Sequence, residues 1–450
     1  MNRPIPKTRE TRVAAILLVL CAIQGPGHAQ SLESPGSRPF SVKHYDVRLE
    51  PRLDSRTIIG TVVLSVVPHG DAVETITLNR GTLEIESVQE RGSARSFVVD
   101  GNRLRIALPR GRPEQARTLA IAYRGSPKSG LNFVQEPEQV YTLFSTSQWT
   151  IALDDPDARA TLRLRLNIPR DWSAAASGRE VSRRALSKDR DLVEWRQDVA
   201  VPTYTFGFAV GRFSVVTERV SGVTLRYLGN GFSAPDLRRV FGESSRMIAF
   251  FEERSGIAYP GRTYSQALVT RTVGQEMAGM SVLSEEYGRA VLADPSVIGL
   301  LAHELAHQWW GNMVTCRAWT QFWLNEGFAT YMAAAYREQR FGREAYLGDI
   351  NSMRQRYEQV VRRGNDRPLV FPSWDRPTAD DRTIVYQKGA YVLHELRELL
   401  GDTAFWSGIR SYTKANFGKS VETEDFRAAM EEVSGRDLRT FFDRWVYLKQ

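Results

Sequence analysis

Between residues 40 and 216 apolar side chains recur in short runs, several with a period of two. Leu162, Leu164, Leu166 and Ile168 alternate with Arg163 and Arg165, so one face of a strand turns inward and the other meets water. Runs at 60–67, 104–108, 118–123, 161–168 and 206–216 are separated by turns rich in Gly, Pro and Asp. That pattern predicts an antiparallel β-sandwich or saddle. After about Gly222 the period lengthens towards 3.6, predicting helices over 234–255, 295–310, 321–340, 343–362, 388–400 and 423–433. The expected class is α+β: a β domain at 30–217 followed by a mostly helical domain at 218–450.

Residues 1–29 stand apart from both. Arg3, Lys7, Arg9 and Arg12 precede an apolar run at 13–23, and Gly27-His28-Ala29 follows. This is the pattern of a signal peptide cut after Ala29, with an apolar run too short to span a bilayer. The expected location is therefore periplasmic or secreted, with no stable membrane span in the mature chain. Cleavage removes four basic side chains and Glu10, lowering the net charge of +8 by three. Acids are interspersed even in the densest basic stretch, 179–196, as a solvated surface requires and a nucleic-acid site does not. Cys316 is the one thiol of the mature chain. It excludes an internal disulfide and reads as a small buried apolar residue. Neither internal repeats nor composition speak to oligomeric state.

The chemistry concentrates in HELAHQWWGN, residues 303–312. Asp294-Pro295 reads as the opening of its helix. Within it His303 and His307 lie one turn apart, where both imidazoles can reach one cation, and Glu304 lies beside them, able to touch a water on that cation without binding it. A hydrolytic zinc site takes three protein ligands and leaves a fourth position free. Eighteen residues separate His307 from Glu326, which lies in WLNEGFATYM on the next predicted helix. His303, His307 and Glu326 are thus the expected ligands of one zinc ion per chain, with Glu304 the general base. The oxyanion formed on attack calls for a second donor, for which a tyrosine hydroxyl is suited. His44, His69 and His394 are isolated in sequence and read as ordinary surface or core residues.

Taken together, HELAHQWWGN, the eighteen-residue spacer, NEGFATY and TIVYQKGAYVL resemble the gluzincin family of aminopeptidase N and leukotriene hydrolase. Trp149, Asp154-Asp155-Pro156 and the stretch PTYTFGFAVGRF at 202–213 look like that family's amino-terminal domain. The resemblance implies a β domain covering a thermolysin-like zinc domain, peptide substrates, and an oxyanion-stabilising role for Tyr386, which sits in the counterpart of the family's YxKG motif. Asn312 and Lys388 read as structural, and core positions suit Trp309 and Trp310.

Two departures stand out. The family's aminopeptidases carry a GxMEN glutamate that holds the substrate's α-ammonium group. Here the stretch is GQEMAGMSVLSEEYG, 274–288, and aligning either Met puts Ala278 or Ser281 in that place. Thr142 falls where a second anchor is expected. Glu276, Glu285 and Glu286 are the acids available as substitutes, and Gly279 and Met280 are expected to pair with a peptide backbone. The sequence also stops just after TFFDRWVYLKQ, where the family's catalytic domain ends, which implies a more open site than in relatives with a further helical domain. An aminopeptidase-like zinc peptidase is the leading expectation. An endo-acting or amine-independent peptidase, a silent zinc-containing peptide binder, and a hydrolase of epoxides or esters are the alternatives.

Overall fold

The protein is represented by a computed structural model that describes residues 38–448, apart from 71, 72, 110, 372 and 375. The expected signal peptide at 1–29 lies outside the described residues.

The amino-terminal half is built on an eight-stranded sheet. Its spatial order runs Arg179–Ala185, Arg190–Pro202, Arg159–Pro169, Phe40–Arg52, Thr57–Pro68, Arg117–Gly125, Glu84–Glu90, Ser93–Ala94. Neighbours are antiparallel except Phe40–Arg52 against Arg159–Pro169, which run parallel with Tyr45 opposite Leu162. The alternation read from the sequence is realised: Leu162, Leu164, Leu166 and Ile168 are buried. On the outer face Arg165 pairs with Asp46 at 2.5 Å and Arg163 with Glu194 at 2.7 Å, each on a neighbouring strand. A three-stranded and a four-stranded sheet complete this half.

The run at 206–216 is two strands rather than one. Phe208–Gly211 belongs to the four-stranded sheet, whereas Ser214–Val220 opens a five-stranded sheet in the second half. The chain therefore changes sheets at Arg212 and Phe213, ahead of residue 217. In spatial order the second sheet holds Ser214–Val220, Val223–Gly229, Thr263–Val269, Met280–Ser284 and Gly274–Met277. Its three inner strands are parallel and both edges antiparallel.

Helices pack on this sheet around one apolar core that includes Trp309, Trp310, Trp323 and Phe328. The predicted helix 234–255 is divided into Ala234–Phe241 and Ser244–Ser255, the first opened by a Ser233–Asp236 capping box. The prediction that Asp294-Pro295 opens the next helix is corrected. Asp294 ends the helix Glu285–Ala293, and its carboxylate accepts hydrogen bonds from the Ser296 amide and hydroxyl at 2.9 and 2.7 Å. Asx-type bonding of that kind closes a turn, so the helix that carries the histidines starts only at Gly299. Cys316 is fully buried, as expected. Among the described residues no helix is long and apolar enough to cross a membrane.

Candidate metal centre

The helix Gly299–Ala306 is short and apolar, and all but its first residue are buried. His307 follows it in helical conformation, its amide donating to the His303 carbonyl at 3.3 Å. The one-turn spacing therefore survives at the very end of the helix. Glu326 enters from the first turn of the helix Trp323–Phe341. His303 Nε2 lies 3.1 Å from Glu326 Oε2, His307 Nε2 lies 3.1 Å from His303 Nε2, and His307 Nε2 lies 3.3 Å from Glu326 Oε2. Tetrahedral zinc, with bonds of about 2.0–2.1 Å, needs its ligand atoms roughly 3.3 Å apart. The donor set and its spacing fit that ion.

The other ring nitrogens fix which atoms face the centre. His307 Nδ1 lies 3.0 Å from the Trp310 carbonyl, an acceptor only, so Nδ1 carries the proton and Nε2 presents its lone pair. His303 Nδ1 lies 3.4 Å from the Thr330 hydroxyl, one helical turn beyond Glu326. Behind His307, a Cβ on Gly311 would lie 2.7 Å from Nδ1, and Gly311 has φ +137°. Tyr204, from the amino-terminal half, donates to the Gly311 carbonyl and accepts from Asn325 Nδ2. It thereby ties the two ligand-bearing segments together.

Charge at the site favours a cation. Burial would lower the His307 pKa, yet Glu326, Glu276 and Glu304 around it raise it to about 10. Burial would raise Glu326, yet His307 and His303 hold it well below the usual carboxylate range. His303 is lowered, chiefly by burial. A divalent ion would satisfy the same carboxylates with both imidazoles neutral.

Glu304 stands beside the three ligands, 3 % exposed, with no partner for its Oε2. Burial first, then Glu276 and Glu326, push its pKa well up. Room for it depends on Gly274: a Cβ there would lie 2.4 Å from Glu304 Oε1. Two residues along the same edge strand, hence on the same face, is Glu276. One carboxylate oxygen each from Glu276 and Glu304 and one nitrogen of His307 all lie within 4.8 Å of one another. Gln275 Nε2 donates to Glu276 Oε2 at 2.9 Å, and burial raises the Glu276 pKa to about 7.

Other expected substrate contacts are elsewhere. Met280 is fully buried on a strand paired along both edges, to Ser265 and to Met277. Gly279 donates its amide to Gln308 Oε1 and accepts from the Ser265 amide. Gly279 thus has no backbone group left for a peptide, and Met280 lies on a strand with neighbours on both sides. The edge strand of the sheet on this side is Gly274–Met277. Glu285 is occupied by Gln139 and Arg289, Glu286 is exposed, and Thr142 bonds the Phe208 backbone. Tyr386 does reach the site. It sits in a π-helical turn, Ile384–Lys388, with its ring stacked on His303. Burial, then the neighbouring Glu326, raise its pKa.

Gly274, Thr330 and Gln308 were not singled out from the sequence. Thr330 was within reach of it, being four residues after Glu326 on one helix. Gln308, whose Nε2 donates to the Met277 carbonyl, carries no signal that precedes knowledge of the hairpin it clasps.

Residues 41–205 match the peptidase M1 N-terminal domain and 240–445 the peptidase family M1 domain. Aminopeptidase N of Streptomyces lividans is 26 % identical over 372 residues, covering 76 % of this chain and 42 % of that protein. For aminopeptidase N of Lactococcus lactis the figures are 26 % over 446 residues, 90 % and 51 %. The chain spans about half the length of these relatives. Among solved structures, an M1 zinc metallopeptidase from Deinococcus radiodurans, bound to a Tyr-Ser-Ala substrate, superimposes with a TM-score of 0.76 at 26 % identity, covering 93 % of this chain and 96 % of that one. Fold, paired domains and the clustered His, His and Glu donors agree, and the chain belongs to peptidase family M1, a family of zinc metallopeptidases.

Proposed function

We propose that this protein is a zinc aminopeptidase that removes residues from the free amino end of peptides, with one zinc ion per chain on His303, His307 and Glu326. The observation that carries the choice of an aminopeptidase is Glu276, whose carboxylate sits with Glu304 and His307 at the centre. A desolvated ammonium group needs a carboxylate partner, and Glu276 supplies one from a different position than the family's usual motif.

Zinc held by this triad would polarise a scissile carbonyl and acidify a water molecule. The chain's own groups do the rest. The Gly274–Met277 edge pairs with the peptide backbone, and Glu276 fixes the amino end. Glu304 takes a proton from the attacking water and returns it to the leaving amine. The Tyr386 hydroxyl donates to the oxygen that gains charge. Retention of both Glu304 and Tyr386 in place weighs against a silent binder.

The test is a peptide library, half of it N-terminally acetylated, incubated with zinc-loaded protein and analysed by mass spectrometry. Stepwise shortening of the free peptides alone is expected. Internal cuts in both halves would establish an endopeptidase instead, and intact peptides with zinc retained would establish a binder.

Export to the periplasm or beyond belongs to the same reading, on the strength of the basic start and the apolar run at 13–23. Cell fractionation with amino-terminal sequencing tests it, and a mature cytoplasmic chain starting at Met1 would refute it.

A further inference from the structure

Gln275 precedes Glu276 on the edge strand Gly274–Met277 and is fully buried. Its carboxamide is held at both ends. The Phe144 amide donates to Gln275 Oε1 at 3.2 Å, while Gln275 Nε2 donates to Glu276 Oε2 at 2.9 Å and to the Glu276 carbonyl at 3.0 Å. A backbone N–H only donates and a carbonyl only accepts, so these partners decide which end of the carboxamide faces which way. Reversing the group would set oxygen against oxygen and N–H against N–H.

Phe144 belongs to the amino-terminal half, just past the strand Gln139–Thr142. Its φ of +50° is uncommon for a residue with a side chain, and in that conformation its amide meets Gln275. The Leu143 amide beside it is tied to the Gly130 carbonyl at 3.0 Å. The same strand also grips the approach to the edge strand. Gln139 Oε1 accepts from the Thr270 amide at 3.1 Å, and the Tyr141 hydroxyl donates to the Thr270 carbonyl.

Glu276 needs such a restraint. One of its carboxylate oxygens lies within 4.8 Å of ligand atoms of Glu304 and His307, and a carboxylate that close to a cationic centre is drawn towards it. The bond from Gln275 to Oε2 opposes that pull and keeps the group beside the edge strand.

We propose that Gln275 is a positioning residue for the amino-end anchor: it holds the Glu276 carboxylate in the orientation that receives the substrate's ammonium group, and it carries to that carboxylate a constraint that originates in the amino-terminal half. The inference rests on the reading of Glu276 as the ammonium anchor.

The test compares Gln275→Leu with the unaltered zinc-loaded enzyme on Leu-Gly-Gly and N-acetyl-Leu-Gly-Gly, alone and in a Glu276→Gln background. Loss of positioning should raise KM for the free peptide about tenfold with kcat changed less than about threefold, because the anchor binds ground and transition states alike. Hydrolysis of the acetylated peptide, slow in every form, should be unaffected. In Glu276→Gln protein the same substitution should alter kcat/KM for the free peptide by less than about twofold, since the two residues act on the amine as a unit. Gln275→Asn, one methylene too short to span Phe144 and Glu276, should repeat the rise in KM while its melting temperature stays close to that of the unaltered protein.

An unchanged KM, an equal loss on the acetylated peptide, or losses that simply add in the double variant would each overturn the role. A loss of amine preference in Glu276→Gln without any in Gln275→Leu overturns this inference alone. Amine preference that survives Glu276→Gln overturns the anchor reading and this inference with it.

Discussion

The phenol ring of Tyr386 lies nearly parallel to the imidazole of His303, with centroids 5.9 Å apart and planes inclined by 12°. The π-helical turn Ile384–Lys388 makes this placement possible, since its wider coil displaces one residue from the helical row. Lys388, fully buried, anchors the end of the turn through Asp366 at 2.9 Å and the Arg367 carbonyl at 2.8 Å. Tyr386→Phe should retain stacking and zinc but lose the donor. We expect kcat to fall about 100- to 1000-fold, the range for removing one oxyanion donor, with KM changed little. An unchanged kcat would remove Tyr386 from the chemistry.

Glu304 and Glu326 are both buried carboxylates beside the histidines, but they should fail differently. Glu326→Gln weakens the donor set itself, so zinc measured by elemental analysis should fall well below one per chain. Glu304→Gln should keep its zinc and lose at least about a hundredfold in kcat, the contribution of general-base catalysis. A chelator should abolish activity in the unaltered protein, and added zinc should restore it. Loss of zinc from the Glu304 variant would make that residue a ligand rather than a base.

Much of this centre was legible because local periodicity fixes it. One helical turn sets His303 against His307, and a second helix brings Glu326 whatever the details of the loop. The alternation around Leu162 to Ile168 was equally local. What escaped was set by tertiary pairing. Gly279 and Met280 seemed open to a peptide because nothing in the sequence tells an inner strand from an edge strand. The hairpin places Met280–Ser284 inside the sheet and Gly274–Met277 at its rim. The same fact lifts Glu276 from an ordinary acid to a site residue. Asp294-Pro295 misled because Asp caps a turn as readily as a helix.

Glu276→Gln removes the charge but keeps the hydrogen-bonding shape. For peptides with a free amino terminus we expect kcat/KM to drop about 100-fold, as befits an ammonium group left without a buried partner. Acetylated peptides, already poor substrates, should be unaffected. A variant that still prefers free amino ends by the original ratio would place the ammonium anchor elsewhere.

Gly274 is constrained by space alone. Its alanine variant puts a methyl group 2.4 Å from Glu304 Oε1, so the carboxylate must shift. Thermal unfolding should move by only a few degrees, whereas kcat should fall at least tenfold, because small displacements of a catalytic group are costly. Full activity in Gly274→Ala would show that Glu304 has slack in its position.

In the amino-terminal half, Glu90 gives a pH-dependent test of stability. Arg117 holds it with two hydrogen bonds of 2.7 Å and Arg95 adds one of 2.8 Å. Hydrogen bonds from Arg117, opposed by burial and helped by Arg95, lower its pKa from 4.5 to about 2. Because the folded value lies below the unfolded one, the stabilisation is complete above pH 4.5 and is lost as pH falls towards 2. Glu90→Gln should destabilise the protein at neutral pH by about 3 kcal/mol, since it leaves the buried Arg117 guanidinium without its charge partner. Other carboxylates titrate over the same range in both proteins, so the informative quantity is the difference between them. Urea unfolding of wild type and variant should converge as pH drops through this window, and parallel curves would mean that Glu90 titrates alike in the folded and unfolded chains.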